Sequence, residues 1–309
     1  MIKPKVLVNH QDKVTFLSYY LRSELIKYFD IVDYSPDEQY MASEYTVLAS
    51  IHPDKNAWAD NLIQDGAKLV YDCLWENHLS DQLKTQYPNV HVACCKSYFW
   101  INEYYLNQSQ KYNNYRPDKN YTYLALLPIR QSKPHRKQLL TALASWLDSI
   151  IYSTVDQGRF LPNDQDELTG SFQRHFDPDW YNSTYFSIVA ESITCSHYNL
   201  HVTEKTFKPI AYYHPFVVFG QTGVLAYLHE MGFETFENLF DESYDTEQEQ
   251  SKRLSQIVEN VANFESQPYD DATWQKLNHN HNLFYNRACV EQMFVNDIVN
   301  PILEYAETQ

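Results

Sequence analysis

Residues 186–220 read FSIVAESITCSHYNLHVTEKTFKPIAYYHPFVVFG, and the order of apolar and polar blocks in them decides the fold class. The apolar run 186–190 predicts a strand, ending on Glu191 and Ser192. A polar loop with Cys195, His197, Tyr198, Asn199 and His201 follows, Thr203-Glu204-Lys205 opens a helical segment, and a second apolar strand, 215–219, closes at Gly220. Strand, helix, strand in this succession is the unit of a parallel sheet. Ligands of open α/β sheets bind outside the carboxyl ends of the strands, and a helix N-terminus attracts anions through its free N–H groups and dipole. A lysine there suits a phosphate. A glutamate suits ribose hydroxyls, because a carboxylate accepts two hydrogen bonds. Glu191 follows Ile188, Val189 and Ala190, where an acid costs desolvation unless it is used.

The same alternation extends in both directions. Short apolar runs at 6–8, 31–34, 47–51, 69–73 and 90–94 are separated by amphipathic stretches at 14–29, 57–64 and 79–86. Residues 107–120 are polar, rich in Tyr and Asn and without period, and read as a linker. Beyond it lie a strand at 121–129, a helix at 136–149, a strand at 150–153 and a polar stretch at 158–179. After the central unit come a helix at 224–231, a short strand at 235–239 and long amphipathic stretches at 246–264 and 271–307, the last interrupted by Pro301. The expected organisation is α/β in two domains, 1–115 and 116–309.

The formal charge of −16 disfavours an extended nucleic-acid interface. Against that background the segment 130–137, RQSKPHRK, is the densest basic cluster. It lies at a predicted helix start, where cations oppose the dipole, so an anionic partner is expected there. The five cysteines, Cys73, Cys94, Cys95, Cys195 and Cys289, are odd in number and form no C-x-x-C pair, which fits a reducing compartment. No window reaches the roughly 18 apolar residues of a membrane span, and the N-terminus leads straight into a strand rather than a signal peptide. Together these point to a cytoplasmic protein with no membrane span.

Ala190-Glu191-Ser192, Val202-Thr203-Glu204-Lys205 and the strand 215–220 ending in Gly220, in that order, resemble the α1,3-fucosyltransferase family of glycosyltransferases. The resemblance covers about the middle third of the chain by motif and the rest by pattern. It implies a GT-B-like architecture, two Rossmann-like domains facing a cleft. It also implies a nucleotide-sugar donor, GDP-fucose in the family, bound by the C-terminal domain, and a glycan or other hydroxyl acceptor presented by the N-terminal one. Arg136 matches the family's pyrophosphate-contacting arginine, and Ser192, Thr203, Glu204 and Lys205 the donor-binding segment. Tyr198 and His201 stand where they could stack on or bond the nucleotide base. Leu74-Trp75-Glu76-Asn77 follows a strand as the family's acidic base does, which makes Glu76 the candidate base and Glu191 a second candidate catalytic carboxylate; Glu103 and Asp72 are runners-up. Secretory-pathway members of the family carry an N-terminal membrane anchor; no such segment is read here, so a cytoplasmic bacterial or viral-type enzyme is expected.

The chemistry implied is metal-independent, inverting transfer, in which Arg136, Lys205 and the helix N-terminus stabilise the leaving diphosphate. No cofactor or metal is expected. Asp177-Pro178-Asp179 has the spacing of a metal-binding DxD, but aspartate is also the ordinary residue of a proline turn. Three departures from the family leave the donor open: Ser192 in place of Asn, a longer loop 191–204, and Pro209 early in the helix, where its ring can kink it. Two alternatives stay in view, a nucleotide-sugar-binding or interaction protein without catalysis and a DNA-modifying sugar transferase.

Overall fold

The structure, a computed structural model, describes residues 3–8, 19–41, 44–49, 62, 68–72, 85, 90–93, 97–164, 177–195 and 200–307. The chain divides into two compact units, Met1–Ser109 with Arg287–Gln309, and Gln110–Asn286. This differs from the expected division at 115/116: the last segment of the chain belongs with the first unit. The element α10 (Asn300–Glu307) packs against β4 (Lys68–Asp72) there.

The first unit is built on a parallel five-stranded sheet. Its strands β1 (Lys5–Val8), β2 (Asp30–Asp33), β3 (Thr46–Ala49), β4 and β5 (Val90–Ala93) lie in the order β2-β1-β3-β4-β5. Helix α1 (Tyr19–Leu25) runs between β1 and β2, and α2 (Tyr98–Gln110) follows β5. Part of α2 falls in the stretch expected to be a linker; Trp100, Ile101, Glu103, Tyr104 and Asn107 are buried at helical spacing. The tail expected as one amphipathic stretch is divided. Helix α8 (Asp271–Phe284) belongs to the second unit, while α9 (Arg287–Phe294), a π-helical turn (Val295–Val299) and α10 belong to the first. Pro301 is the second residue of α10 and directly follows the π-helical turn; Phe294 and Asn300 on either side of that turn are helical, so the proline lies inside a continuous helical run and the π turn falls where its missing N–H and its ring disturb the ladder.

The second unit repeats the plan with four parallel strands, β6 (Tyr123–Leu127), β7 (Ile150–Tyr152), β8 (Thr184–Ala190) and β9 (Phe216–Phe219), in the order β7-β6-β8-β9. Every residue of β9 and all but one of β8 are buried, as expected of parallel strands covered on both faces. Helix α3 (Pro134–Ala142) is shorter than expected and passes into a 3-10 turn, Ala144–Ser149. The unit also holds α4 (Pro178–Asn182), α5 (Glu204–Ala211), α6 (Val224–Glu230) and α7 (Gln250–Asn263). Residues 235–239 form no strand: Thr235 Oγ1 and Phe236 N both donate to the Glu242 carboxylate, and Phe240 N closes a turn on Phe236 O. From β6 the chain moves outward to β7, then returns to the other side of β6 as β8. The strand order therefore reverses between β6 and β8, and the carboxyl ends of those two strands are where the fold opens a crevice for a ligand.

Among the described residues, no helix is long and apolar enough to cross a membrane.

Candidate functional site

The residues that follow β6 and β8 converge at this reversal. Glu191 is the first residue past β8 and is fully buried. Its Oε1 accepts from Thr203 N at 2.9 Å and Thr206 Oγ1 at 2.7 Å; its Oε2 accepts from Thr203 Oγ1 at 2.6 Å and Ser192 N at 3.1 Å. The desolvation of this carboxylate is thus offset by four donors of the chain itself. They fasten the end of β8 to the start of α5. Thr203 is the N-cap of α5, its hydroxyl accepting from Lys205 N, and the helix runs from Glu204 to Ala211 through Pro209.

The first turn of α5 carries the charged pair. Lys205 Nζ donates to Glu204 Oε1 at 2.5 Å, Thr203 Oγ1 at 3.2 Å and Ser192 Oγ at 3.3 Å. The lysine side chain is 22% exposed and that of Glu204 3%, so the cation meets solvent and the anion backs it. Burial disfavours the Glu204 carboxylate, but the charge and hydrogen bond of Lys205, with Lys208, outweigh it and hold the carboxyl below its ordinary range.

The basic turn after β6 packs on the same strand end. Lys133 Nζ donates to Ser192 O at 3.1 Å, Arg136 donates to Glu191 O and Gln131 O, both at 3.1 Å, and His135 Nε2 lies 2.9 Å from Glu191 O. Asp156 fixes the turn by accepting from Ser132 N and Oγ. Burial, then repulsion from Arg136 and Lys205, lowers the Lys133 pKa, and burial lowers that of Arg136 against the pull of Glu191, Glu204 and Asp156. Arg130, Lys133, Arg136, Lys205 and Lys208 stand against Glu191, Glu204, Asp156 and Asp164 around these strand ends, a small local excess of cations in a chain of net charge −16.

A cavity of about 130 Å³ opens along β8 to this point. Leu126, Ile188 and Ala190 contribute apolar wall, Trp180 and Tyr181 the rings. Its charged lining is Arg130, Lys205 and Lys208 with Asp164 and Glu204.

The sequence-predicted residues Glu191, Ser192, Thr203, Glu204, Lys205 and Arg136 are therefore brought together. Arg136, 3% exposed, turns its guanidinium to main-chain carbonyls. Arg130 and Lys208 line the cavity instead, and sequence reasoning singled out neither. Arg130 was readable as a residue just beyond the strand end at the switch point, and Lys208 as the position i+4 from Glu204 on the same helical face. His201 is buried, its main-chain N–H donating to Gln221 Oε1; burial lowers its imidazole pKa to about 3, with Glu204 opposing and Lys205 reinforcing. Glu76 and Tyr198 lie outside the described residues, as do Cys73, Cys94 and Cys95. Glu103 is buried in α2. Asp177 caps α4, accepting from Asp179 N, and also accepts from Asn163 Nδ2. Among the described residues no group of three or more His, Cys, Asp or Glu is placed to hold a metal ion.

No protein-family model matches the chain, and no curated protein matches it in sequence. Among solved structures, one described as the crystal structure of an alpha1,3-fucosyltransferase is similar over 94% of this chain and 92% of that one, with a TM-score of 0.40 and 10% sequence identity.

Proposed function

We propose that the protein is a glycosyltransferase that moves a sugar from a nucleoside-diphosphate sugar to a hydroxyl acceptor, and that unit 110–286 binds the donor. The observation that carries this reading is the Lys205–Glu204 pair on the first turn of α5, beside the cavity at the strand-order reversal. The Lys205 ammonium, the α5 N-terminus and Arg130 neutralise the diphosphate. Glu204, kept ionised by Lys205, accepts from ribose hydroxyls. Glu191, Lys133, His135 and Arg136 hold the two strand-end segments at the spacing this requires.

In the reaction the bond from the sugar C1 to the diphosphate oxygen breaks and the acceptor oxygen bonds to C1. The electron pair leaves with the diphosphate, and the acceptor proton passes to a carboxylate base, for which Glu76 is the candidate. Direct displacement inverts C1. The cations of the second unit stabilise the growing charge of the leaving group, so a divalent metal is not required. The two parallel-sheet units take the GT-B roles, the second for the donor and the first for the acceptor.

The test is to incubate purified protein with GDP-, UDP-, CDP-, ADP- and dTDP-sugars, with and without magnesium, and to measure nucleoside diphosphate release. One donor class is turned over without added metal, and Glu76→Gln suppresses its turnover by about 10²-fold or more, the ordinary contribution of a general base. Failure of every donor to bind or turn over contradicts the proposal.

A further inference from the structure

A second cavity, of about 460 Å³, lies at the opposite end of the same unit. It is lined by Tyr269, whose ring packs on Tyr121, just before β6, and whose hydroxyl donates to the carbonyl of Tyr185, the second residue of β8. The candidate site lies past the carboxyl ends of those strands, and this cavity lies by their amino ends. Its volume falls in the range of about 300–1,000 Å³ usual for small-molecule sites.

The chemistry of its wall differs from that of the first cavity. Two aromatic residues, Phe264 and Tyr269, are held from behind. Phe264 packs on Phe186 at 4.7 Å and Phe240 at 5.7 Å, and Tyr269 on Tyr121 at 5.4 Å and Trp274 at 5.5 Å between ring centroids. Around them stand exposed amides and carboxylates, Asn263, Glu265, Gln267 and Asp270. The described lining contains no Lys, Arg or His. A phosphorylated or otherwise anionic ligand would meet two carboxylates in the wall; Lys119, whose ammonium lies 5.4 Å from the Tyr269 ring centroid, is not part of the lining and donates to Tyr181 O instead, so the wall does not suit a second nucleotide. Asp270 already accepts from Thr273 N as the cap of α8, and Glu265 from Gln267 Nε2; the acceptor positions that remain on these carboxylates, amides that both donate and accept, and fixed rings match a ligand carrying many hydroxyls on an uncharged ring.

We infer that the cavity lined by Asn263, Gln267, Phe264 and Tyr269 is a binding site for neutral saccharide, separate from the donor site. The inference stands whether or not the nucleotide-sugar reading holds, because it uses none of the same residues. A glycan held here is engaged away from the strand ends at which the donor is proposed to bind.

The probes are maltotriose, cellobiose, lactose and N,N′-diacetylchitobiose at millimolar concentration, followed by saturation-transfer NMR and calorimetry on the full chain. At least one binds the wild type. Asn263→Ala with Gln267→Ala weakens it by about tenfold, the loss of one or two hydrogen bonds, with an unchanged melting temperature. Glu265→Lys, a second exposed change in the same wall, also weakens it, and Lys205→Ala binds as wild type does. The proposal is overturned if none of the four sugars binds, if the wall variants bind undiminished, or if Lys205→Ala loses the sugar, which would place it in the other cavity.

Discussion

The Glu191 carboxylate accepts hydrogen bonds from both the main-chain N–H and the hydroxyl of Thr203, at 2.9 and 2.6 Å. One residue directly follows β8 and the other caps α5, so this pair sets the position of the helix N-terminus on the sheet. Glu191→Gln replaces an acceptor oxygen with an N–H₂ that faces donors. It is expected to destabilise the second unit by about 2–4 kcal/mol, the cost of breaking a buried charge network, read by urea denaturation. Unchanged stability with lost turnover would instead assign Glu191 to the chemistry.

Gly220 approaches the same carboxylate from β9. A Cβ built there comes within 3.3 Å of Glu191 Cβ and of Val224 Cγ2. Each neighbour would have to give by a few tenths of an ångström, and Glu191, held by four hydrogen bonds, and the buried Val224 resist that shift. Gly220→Ala should therefore cost about 1–3 kcal/mol by overpacking and weaken ligand binding at the strand ends. A variant with wild-type melting temperature and affinity would show that this end of the sheet is loosely packed.

Removing Lys205 alone leaves the buried Glu204 with only the more distant charge of Lys208, so Lys205→Met should lower the melting temperature as well as weaken binding measured on the folded protein. The double variant Glu204→Gln with Lys205→Met replaces the ion pair with neutral groups of similar size. It should recover most of the melting temperature lost by Lys205→Met while remaining unable to bind a diphosphate. Recovery of binding would remove Lys205 from the site.

Three buried histidines make the second unit acid-sensitive. Burial, the leading cause in each case, lowers His201 to about 3 and His281 to about 4 from an ordinary 6.5, and places His214 well below its usual value. Depressed folded-state values mean that the unfolded chain takes up these protons first. The stability they contribute is complete above pH 6.5 and is withdrawn as the pH falls toward the folded values, by at most about 1.4 kcal/mol per pH unit for each ring. Denaturation midpoints at pH 7 and pH 5 should differ accordingly. His281→Phe, which keeps a ring against Tyr213 at the stacked position, should reduce the slope. Burial holds the Glu242 and Asp245 carboxyls above their ordinary range, which works in the opposite sense on acidification, so equal slopes for the wild type and His281→Phe would contradict a buried neutral imidazole at His281.

Much of the second unit was legible because its strands are continuous apolar runs and its site residues sit at the ends of those runs. Residues 186–220 gave strand, loop, helix and strand in the correct order, and the basic turn at 130–137 stood out by charge. What stayed hidden has specific causes. Helix α2 buries Glu103 and Asn107 on its inner face, so its apolar stripe is interrupted by polar residues and the period is masked. The return of α9 and α10 to the first unit depends on packing between distant segments, which no local pattern records. Arg136 was expected at a phosphate because it matches the resembling family's pyrophosphate-contacting arginine and lies in a basic turn at a helix start. Its burial against two carbonyls depends on the proximity of β6 and β8. Arg130, the residue the cavity does receive, sat in the same cluster.

The most direct test of the donor-site reading is calorimetric binding of GDP, UDP, CDP, ADP and dTDP, without magnesium, to the wild type and Lys205→Ala. The account predicts that one of the five binds the wild type and that Lys205→Ala weakens it at least about tenfold, as expected for one charge-assisted contact to phosphate. Binding of none of them, or equal binding by wild type and variant, would contradict it.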